Sequence, residues 1–238
     1  MLTTDKFDKD FLLQWENTNF HSWSKYFQLI GNDIYCGKII SDKFCNNIIS
    51  IINEYEDANE KQIDELKANS MHQTSIPTEK LNLKEEIDDL VNIYLNKISS
   101  SLFPNRYFFK FDSQHSYIVR YLESGDNDLG FHVDDSLITF NICLNDNFEG
   151  SDIIFEGPRC PKHLDSNSDT KEIFKIKHRK GFAIVHDGKN RHRVEQILAG
   201  ERINLIIWCQ NNEEHNNWFN ALKKLHCLDF CNHYLYKT

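Results

Sequence analysis

The spacing of apolar residues divides the chain near residue 107, with a helical period before it and strict alternation after it. At the start, Phe7, Phe11 and Trp15 recur at four-residue spacing. That spacing predicts a helix laid against the core. Ile34 to Ile40 reads as a strand, and Ser41 as the N-cap of a following helix. Phe44, Cys45, Ile48, Ile49, Ile51 and Ile52 supply that helix with an apolar face as far as about Tyr55. Residues 56–80 are polar, contain Pro77 and keep no period, which predicts a loop or insertion. A second helix is expected over 83–99, with Ile87, Leu90, Val91, Tyr94, Leu95 and Ile98 on one side and Pro104 beyond its end.

Beyond residue 107 the pattern predicts strands near 107–112, 115–122, 129–133, 137–144, 152–156, 173–177, 181–186, 193–197 and 202–209. Turn residues separate them, among them Gly125-Asp126-Asn127, Asp187-Gly188 and Ala199-Gly200. Short strands in series with no helix between them indicate a mainly β fold with a double-stranded β-helix (jelly roll) core. The two helices ahead of it belong on the outside of a sheet, giving an α+β layout. The expected division is a helical flank at 1–100, a jelly-roll core at 101–212 and a C-terminal helix at 213–238, all in one structural domain. The polar stretch Asp165–Asp169 reads as a mobile excursion between strands.

Composition narrows the classes. With 238 residues, 40% hydrophobic and 13% aromatic, the chain has the material for an ordered core. A net charge of −9 argues against a nucleic-acid binder. The charge is uneven, because Arg159 to Arg193 holds ten Lys or Arg against four Asp or Glu. That run reads as a solvated face, with room beside His192 for an anionic substrate or peptide. Seven irregularly spaced cysteines fit reduced thiols better than a disulfide framework. Residues 1–10 lack the pattern of a signal peptide and no stretch is apolar enough to span a membrane, so a cytoplasmic or nuclear protein with no membrane partner is expected. His226 to His233 contains two cysteines and two histidines. It reads as part of a helix docked through Trp218, Phe219, Leu222 and Leu225, in preference to a zinc site.

The candidate chemistry lies in Gly130-Phe131-His132-Val133-Asp134. On a strand, His132 and Asp134 point to one face. With a second histidine they make a 2-His-1-carboxylate face, which suits ferrous iron and leaves positions open. His186 and His192 compete for that place. Only His192 lies ten residues before Arg202, a guanidinium suited to a dicarboxylate, and it is preferred. His186 is then a neighbour of the site or simply structural. Alternation puts Arg202, Asn204, Ile206 and Trp208 on one strand face, taken as the interior, and Ile203, Leu205, Ile207 and Cys209 on the other. Thr139, Asn141 and Cys143 share a face of their own strand.

Residues 112–121, 129–144, 148–150 and 186–208 resemble the iron(II)- and 2-oxoglutarate-dependent dioxygenases of the prolyl 4-hydroxylase type. Within that family the likeness is to the group named 2-oxoglutarate- and iron-dependent oxygenase domain-containing protein 2. It covers about residues 100–210, and the helices before them match the family only loosely. The resemblance implies iron ligation by His132, Asp134 and His192, and pairing of Arg202 with the far carboxylate of 2-oxoglutarate. Cys143 stands where several relatives carry a co-substrate tyrosine, so Tyr121 or Tyr117 is the candidate hydroxyl, with Thr139, Asn141 and Asn204 beside it. Ser151 stands where relatives often have glycine, a change expected to alter a turn and not the chemistry.

The implied cofactors are Fe(2+), 2-oxoglutarate, O2 and ascorbate. The implied reaction hydroxylates an unactivated C–H bond, with release of succinate and CO2. Asp134 argues against the halogenating relatives, which lack the carboxylate. The implied substrate is a protein or peptide side chain, prolyl or lysyl. Two other readings are an AlkB-like nucleic-acid demethylase and a non-catalytic jelly-roll module. Arg202-Ile203-Asn204 fits the first, but Trp208 stands where its pattern needs arginine. The intact triad with Arg202 argues against the second.

Overall fold

A computed structural model describes residues 26–59, 75–104, 110–213 and 231. The aromatic stripe at Phe7–Trp15 and the C-terminal helix fall outside the described residues, apart from Cys231.

Two antiparallel sheets face each other. The larger follows the order β1 (Gln28–Gly31), β2 (Ile34–Lys38), β10 (Phe182–Asp187), β6 (Ile138–Cys143), β12 (Ile197–Gln210), β4 (Ser113–Leu122) and β3 (Ile76–Pro77), with β7 (Phe148–Gly150) paired to one end of β12. The smaller runs β5 (Leu129–His132), β11 (Asn190–Val194), β8 (Ile153–Pro158) and β9 (Ile173–Ile176). The layer between them is built from Ile34, Val119, Phe155, Ile184, Val194 and Ile206, among others. This is the jelly-roll architecture expected from the strand series.

The outer face of the larger sheet is covered by helices. They are α1 (Asp42–Asn59), α2 (Lys84–Leu90) and α3 (Asn96–Leu102), the last two joined by a π turn at Val91–Leu95. Ser41 caps α1 as expected, its Oγ accepting from the Phe44 N–H at 3.1 Å. The Asn96 side chain donates to the Val91 carbonyl at 3.0 Å and accepts from the Phe111 N–H at 2.7 Å. It thus ties the π turn to the start of the β-rich half. Because β6 is covered on both faces, all six of its residues are buried.

The structure departs from the sequence pattern in four places. Residues 110–112 are not strand, and 105–109 lie outside the described residues. Short strands β1, β3 and β7 were not expected; β1 to β3 make the 1–100 flank a contributor to the larger sheet as well as its helical cover. The basic run is not one solvated face, since Arg159 and Arg191 are fully buried. Arg159 pairs with both oxygens of Glu172 at 3.2 and 3.0 Å, while Arg191 donates to the Leu164 and Ser166 carbonyls. These buried guanidiniums hold the connection from β8 to β9, which therefore is not the loose excursion its polar sequence suggested. Among the described residues no helix is long and apolar enough to cross a membrane.

Candidate metal centre and co-substrate pocket

His132 and His192 sit opposite each other in register on β5 and β11, which sends both rings to the same side of the smaller sheet. Their centroids are 4.1 Å apart. Asp134 follows β5, and its N–H donates to the Gly188 carbonyl at 2.8 Å. Gly188 lies in the turn between β10 and β11, where a Cβ would meet the Ser136 carbonyl oxygen at 2.2 Å. Only glycine permits that approach, so the turn before His192 is clamped to the loop that carries Asp134.

The three side chains converge. Asp134 Oδ1 lies 3.7 Å from His132 Nε2 and 3.8 Å from His192 Nε2, and all three residues are buried. Each ring donates its Nδ1 proton to a backbone carbonyl, His132 to Gly130 at 2.8 Å and His192 to Asn190 at 2.9 Å. That fixes the tautomer and leaves both Nε2 lone pairs aimed at the centre. Thr139 Oγ1 donates to Asp134 Oδ2 at 2.6 Å and contacts Ser136 Oγ at 2.8 Å, leaving Oδ1 for the histidine side.

Burial alone would push Asp134 upward, but the surrounding His192, His186 and His132, with the Thr139 hydroxyl, hold its carboxyl below the usual range. Burial, then His192, pushes His132 down to about 4. The site thus presents a carboxylate and a neutral imidazole at ordinary pH, the protonation states that divalent metal binding needs. Two imidazoles and one carboxylate in a buried face fit ferrous iron in donor type and number.

His186, the competitor, is also here. It is fully buried, donates from Nδ1 to the Asp187 carbonyl at 2.9 Å, and places Nε2 3.7 Å from Asp134 Oδ2 with no hydrogen-bond partner. His192 stands on the Oδ1 side with His132, and His186 on the opposite oxygen, so the two do not occupy equivalent positions.

The trio opens onto a cavity also lined by Tyr117, Tyr121, Thr139, Asn141 and Ile206. Arg202 is fully buried and does not itself line the cavity; its guanidinium carbon lies 4.4 Å from the Tyr121 ring, which does. One nitrogen donates to the Ser151 carbonyl and the Tyr121 hydroxyl also interacts with the guanidinium, while Nε and Nη2 keep no other hydrogen-bond partner. A buried guanidinium with unpaired nitrogens is costly, and a bound carboxylate is the group that would satisfy it. Asn204 donates to Asn141 Oδ1 and, at 3.1 Å, to Nδ1 of buried His178, so it joins a polar layer next to Arg202 and not the metal ligands.

Two contributors were not legible in the sequence. His178 had no motif around it. Ser151 was expected to matter only for a turn; it does adopt a left-handed φ of 56°, but its carbonyl is also the Arg202 contact.

A jelly roll carrying this buried donor set and an arginine with unpaired nitrogens is the architecture of the 2-oxoglutarate- and iron-dependent oxygenases. A profile of the OGFOD2-like domain matches residues 1–107, the half that did not carry the resemblance in the sequence. The 2-oxoglutarate and iron-dependent oxygenase domain-containing protein ICU11 of Arabidopsis thaliana is 33% identical over 180 residues, spanning 75% of this chain and 45% of that protein. The mouse 2-oxoglutarate and iron-dependent oxygenase domain-containing protein 2 is 26% identical over 185 residues, 77% of this chain and 50% of that protein. The chain is similar to these OGFOD2-like 2-oxoglutarate- and iron-dependent oxygenases. It spans about half the length of the curated relatives it matches. A prolyl-4-hydroxylase from Pseudomonas putida shares the fold, with a TM-score of 0.50, 13% identity, and coverage of 75% of this chain and 92% of that one.

Proposed function

We propose that this chain is an Fe(II)- and 2-oxoglutarate-dependent dioxygenase that hydroxylates an unactivated C–H bond on a protein side chain, prolyl or lysyl. The observation that carries the reading is the buried His132–Asp134–His192 face opening on a cavity beside Arg202, whose Nε and Nη2 have no hydrogen-bond partner. The chemistry that bound iron supplies, with 2-oxoglutarate and O2, is oxidation of C–H to C–OH coupled to decarboxylation of the co-substrate to succinate and CO2. Ascorbate serves to keep that iron ferrous.

The roles of the chain's own residues follow from their surroundings. His132 and His192 offer Nε2 because their Nδ1 protons are committed to the backbone. Asp134 offers Oδ1, with Oδ2 held by Thr139. Arg202 pairs with the far carboxylate of 2-oxoglutarate, and Tyr121, which lines the cavity beside that arginine, contributes its hydroxyl; Tyr117 is the second candidate. Val119, Leu129, Val194 and Ile206 give the cavity apolar walls that exclude water from the reacting atoms. The preference for a prolyl or lysyl residue rests on the family resemblance, and Asp134 favours hydroxylation over halogenation.

Incubation of the purified chain with Fe(II), ascorbate and 2-oxoglutarate tests this. Succinate is expected from the parent protein and only background from Asp134→Ala. Peptides containing proline or lysine are expected to gain one oxygen by mass. A chain that neither forms succinate nor binds 2-oxoglutarate would refute the enzymatic reading.

A further inference from the structure

A second cluster of metal-ligating side chains lies apart from the centre just described, and the family reading does not use it. Cys160 precedes a single 3-10 turn, Pro161–His163, that brings His163 back over it; Cys160 Sγ and His163 Nδ1 are 3.1 Å apart. Cys231 arrives from the far end of the chain, with its Sγ 3.6 Å from the same nitrogen. The three ligand atoms all lie within 4.8 Å of one another. Both cysteines are buried, Cys160 to 1% exposure and Cys231 to 5%.

We infer that Cys160, His163 and Cys231 supply three of the four ligands of a zinc site. Tetrahedral zinc, with sulfur at about 2.3 Å and nitrogen at about 2.0 Å, sets neighbouring S and N ligands about 3.6 Å apart. The separation of 3.6 Å matches that edge and the one of 3.1 Å falls inside it, so a small side-chain adjustment completes the fit. Two soft sulfurs and one imidazole select zinc over the hard cations and differ from the oxygen-containing iron face. Two thiolates also neutralise the dication, so the buried set carries no uncompensated charge. The Cys160 N–H points at Cys231 Sγ at 3.4 Å, the outer hydrogen bond that supports a metal-bound thiolate. A reactive cysteine sits in a partly exposed place, and both of these residues are buried.

The position gives the metal a task. Residues 160–166 belong to the connection between β8 and β9, and Arg191 on β11 donates into that connection at Leu164 and Ser166. Arg191 is the residue before His192. The Arg159 N–H also donates to the Lys189 carbonyl at 3.2 Å, just ahead of β11. Zinc at this place fastens position 231 to the loop that braces the strand carrying His192. The two metal sites are independent in ligand set, so either assignment can fail without the other.

The test is metal analysis of the whole chain, expressed with zinc and iron available. About one zinc per chain is expected in the parent and in His132→Ala/His192→Ala, with loss of that zinc in Cys160→Ser/Cys231→Ser. Zinc X-ray absorption on the parent protein is expected to show sulfur scatterers at about 2.3 Å. Cobalt(II) in place of zinc is expected to give a near-ultraviolet thiolate-to-metal band that survives the histidine changes. The absorption measurement needs no variant, so misfolding of the serine form does not obscure the answer. Zinc with only nitrogen and oxygen neighbours would overturn the assignment, as would a metal-free chain with Cys160 and Cys231 joined in a disulfide.

Discussion

The two faces of β12 are built to opposite rules. On one face Ile203, Leu205, Ile207 and Cys209 pack against the helices in a continuous apolar layer. On the other, Arg202 and Asn204 are just as buried, and both retain polar atoms without partners. Trp208 on that face likewise keeps an unpaired indole nitrogen. His186 Nε2 and Ser151 Oγ, buried near the same layer, add to the count of unsatisfied atoms. Native interiors leave few such atoms; four of the ten among the described residues lie on this face of β12 and none on its helix side, which separates the face that stabilises from the face that binds. The strand is held rigid by its helix-side packing, so the opposite side can bear groups that cost stability.

Paired substitutions test that division. Leu205→Ala removes buried methyl groups from the helix side and is expected to cost about 2–5 kcal/mol in urea unfolding, with turnover per folded molecule retained. Arg202→Met is expected to do the reverse. Removing a buried charge with unpaired nitrogens should raise the stability of the ligand-free chain by about 1–4 kcal/mol. It should also weaken 2-oxoglutarate binding by at least about 30-fold in a calorimetric titration, as loss of a buried charge partner does. If Arg202→Met destabilised the chain as Leu205→Ala does, the arginine would be a packing residue and the contrast between the faces would collapse.

Much of this was legible because period-two alternation survives where only one face of a strand is polar. Arg202, Asn204, Ile206 and Trp208 could be assigned to the interior by counting alone. His132 and Asp134 were visible because a histidine and a carboxylate two residues apart are local information, although Asp134 lies in the loop after β5 and not on the strand that the spacing assumed. His192 was harder, since the pairing of β11 with β5 joins residues sixty apart in the chain. What stayed hidden depends on contacts that leave no local pattern. The charges of Arg159 and Arg191 read as solvated, because sequence does not show that Glu172 and a ring of carbonyls await them. Cys160 and Cys231 look unrelated at a separation of 71 residues. His178 carries no motif, yet it packs against the Asn204 side chain.

That histidine supplies the mildest test of the contrast. Burial, then the nearby Arg202 charge, pushes His178 down to about 3, and burial with His192 holds His132 and His186 at about 4 each. All three belong to the cavity side. An unfolded histidine titrates near pH 6.5, so below that pH the unfolded chain binds protons that the folded chain refuses. Stability of the metal-free protein is therefore expected to be level above about pH 6.5 and to fall as the pH drops toward 4, by up to about 1.4 kcal/mol per unit for each histidine. Urea midpoints at a series of pH values would show it. In Arg202→Met the nearby positive charge is gone, so His178 should accept a proton more readily and the acid-side loss should become shallower. Leu205→Ala should shift the whole curve down without changing its slope. If both variants kept the parent slope, the acid sensitivity would have to arise away from the Arg202 face.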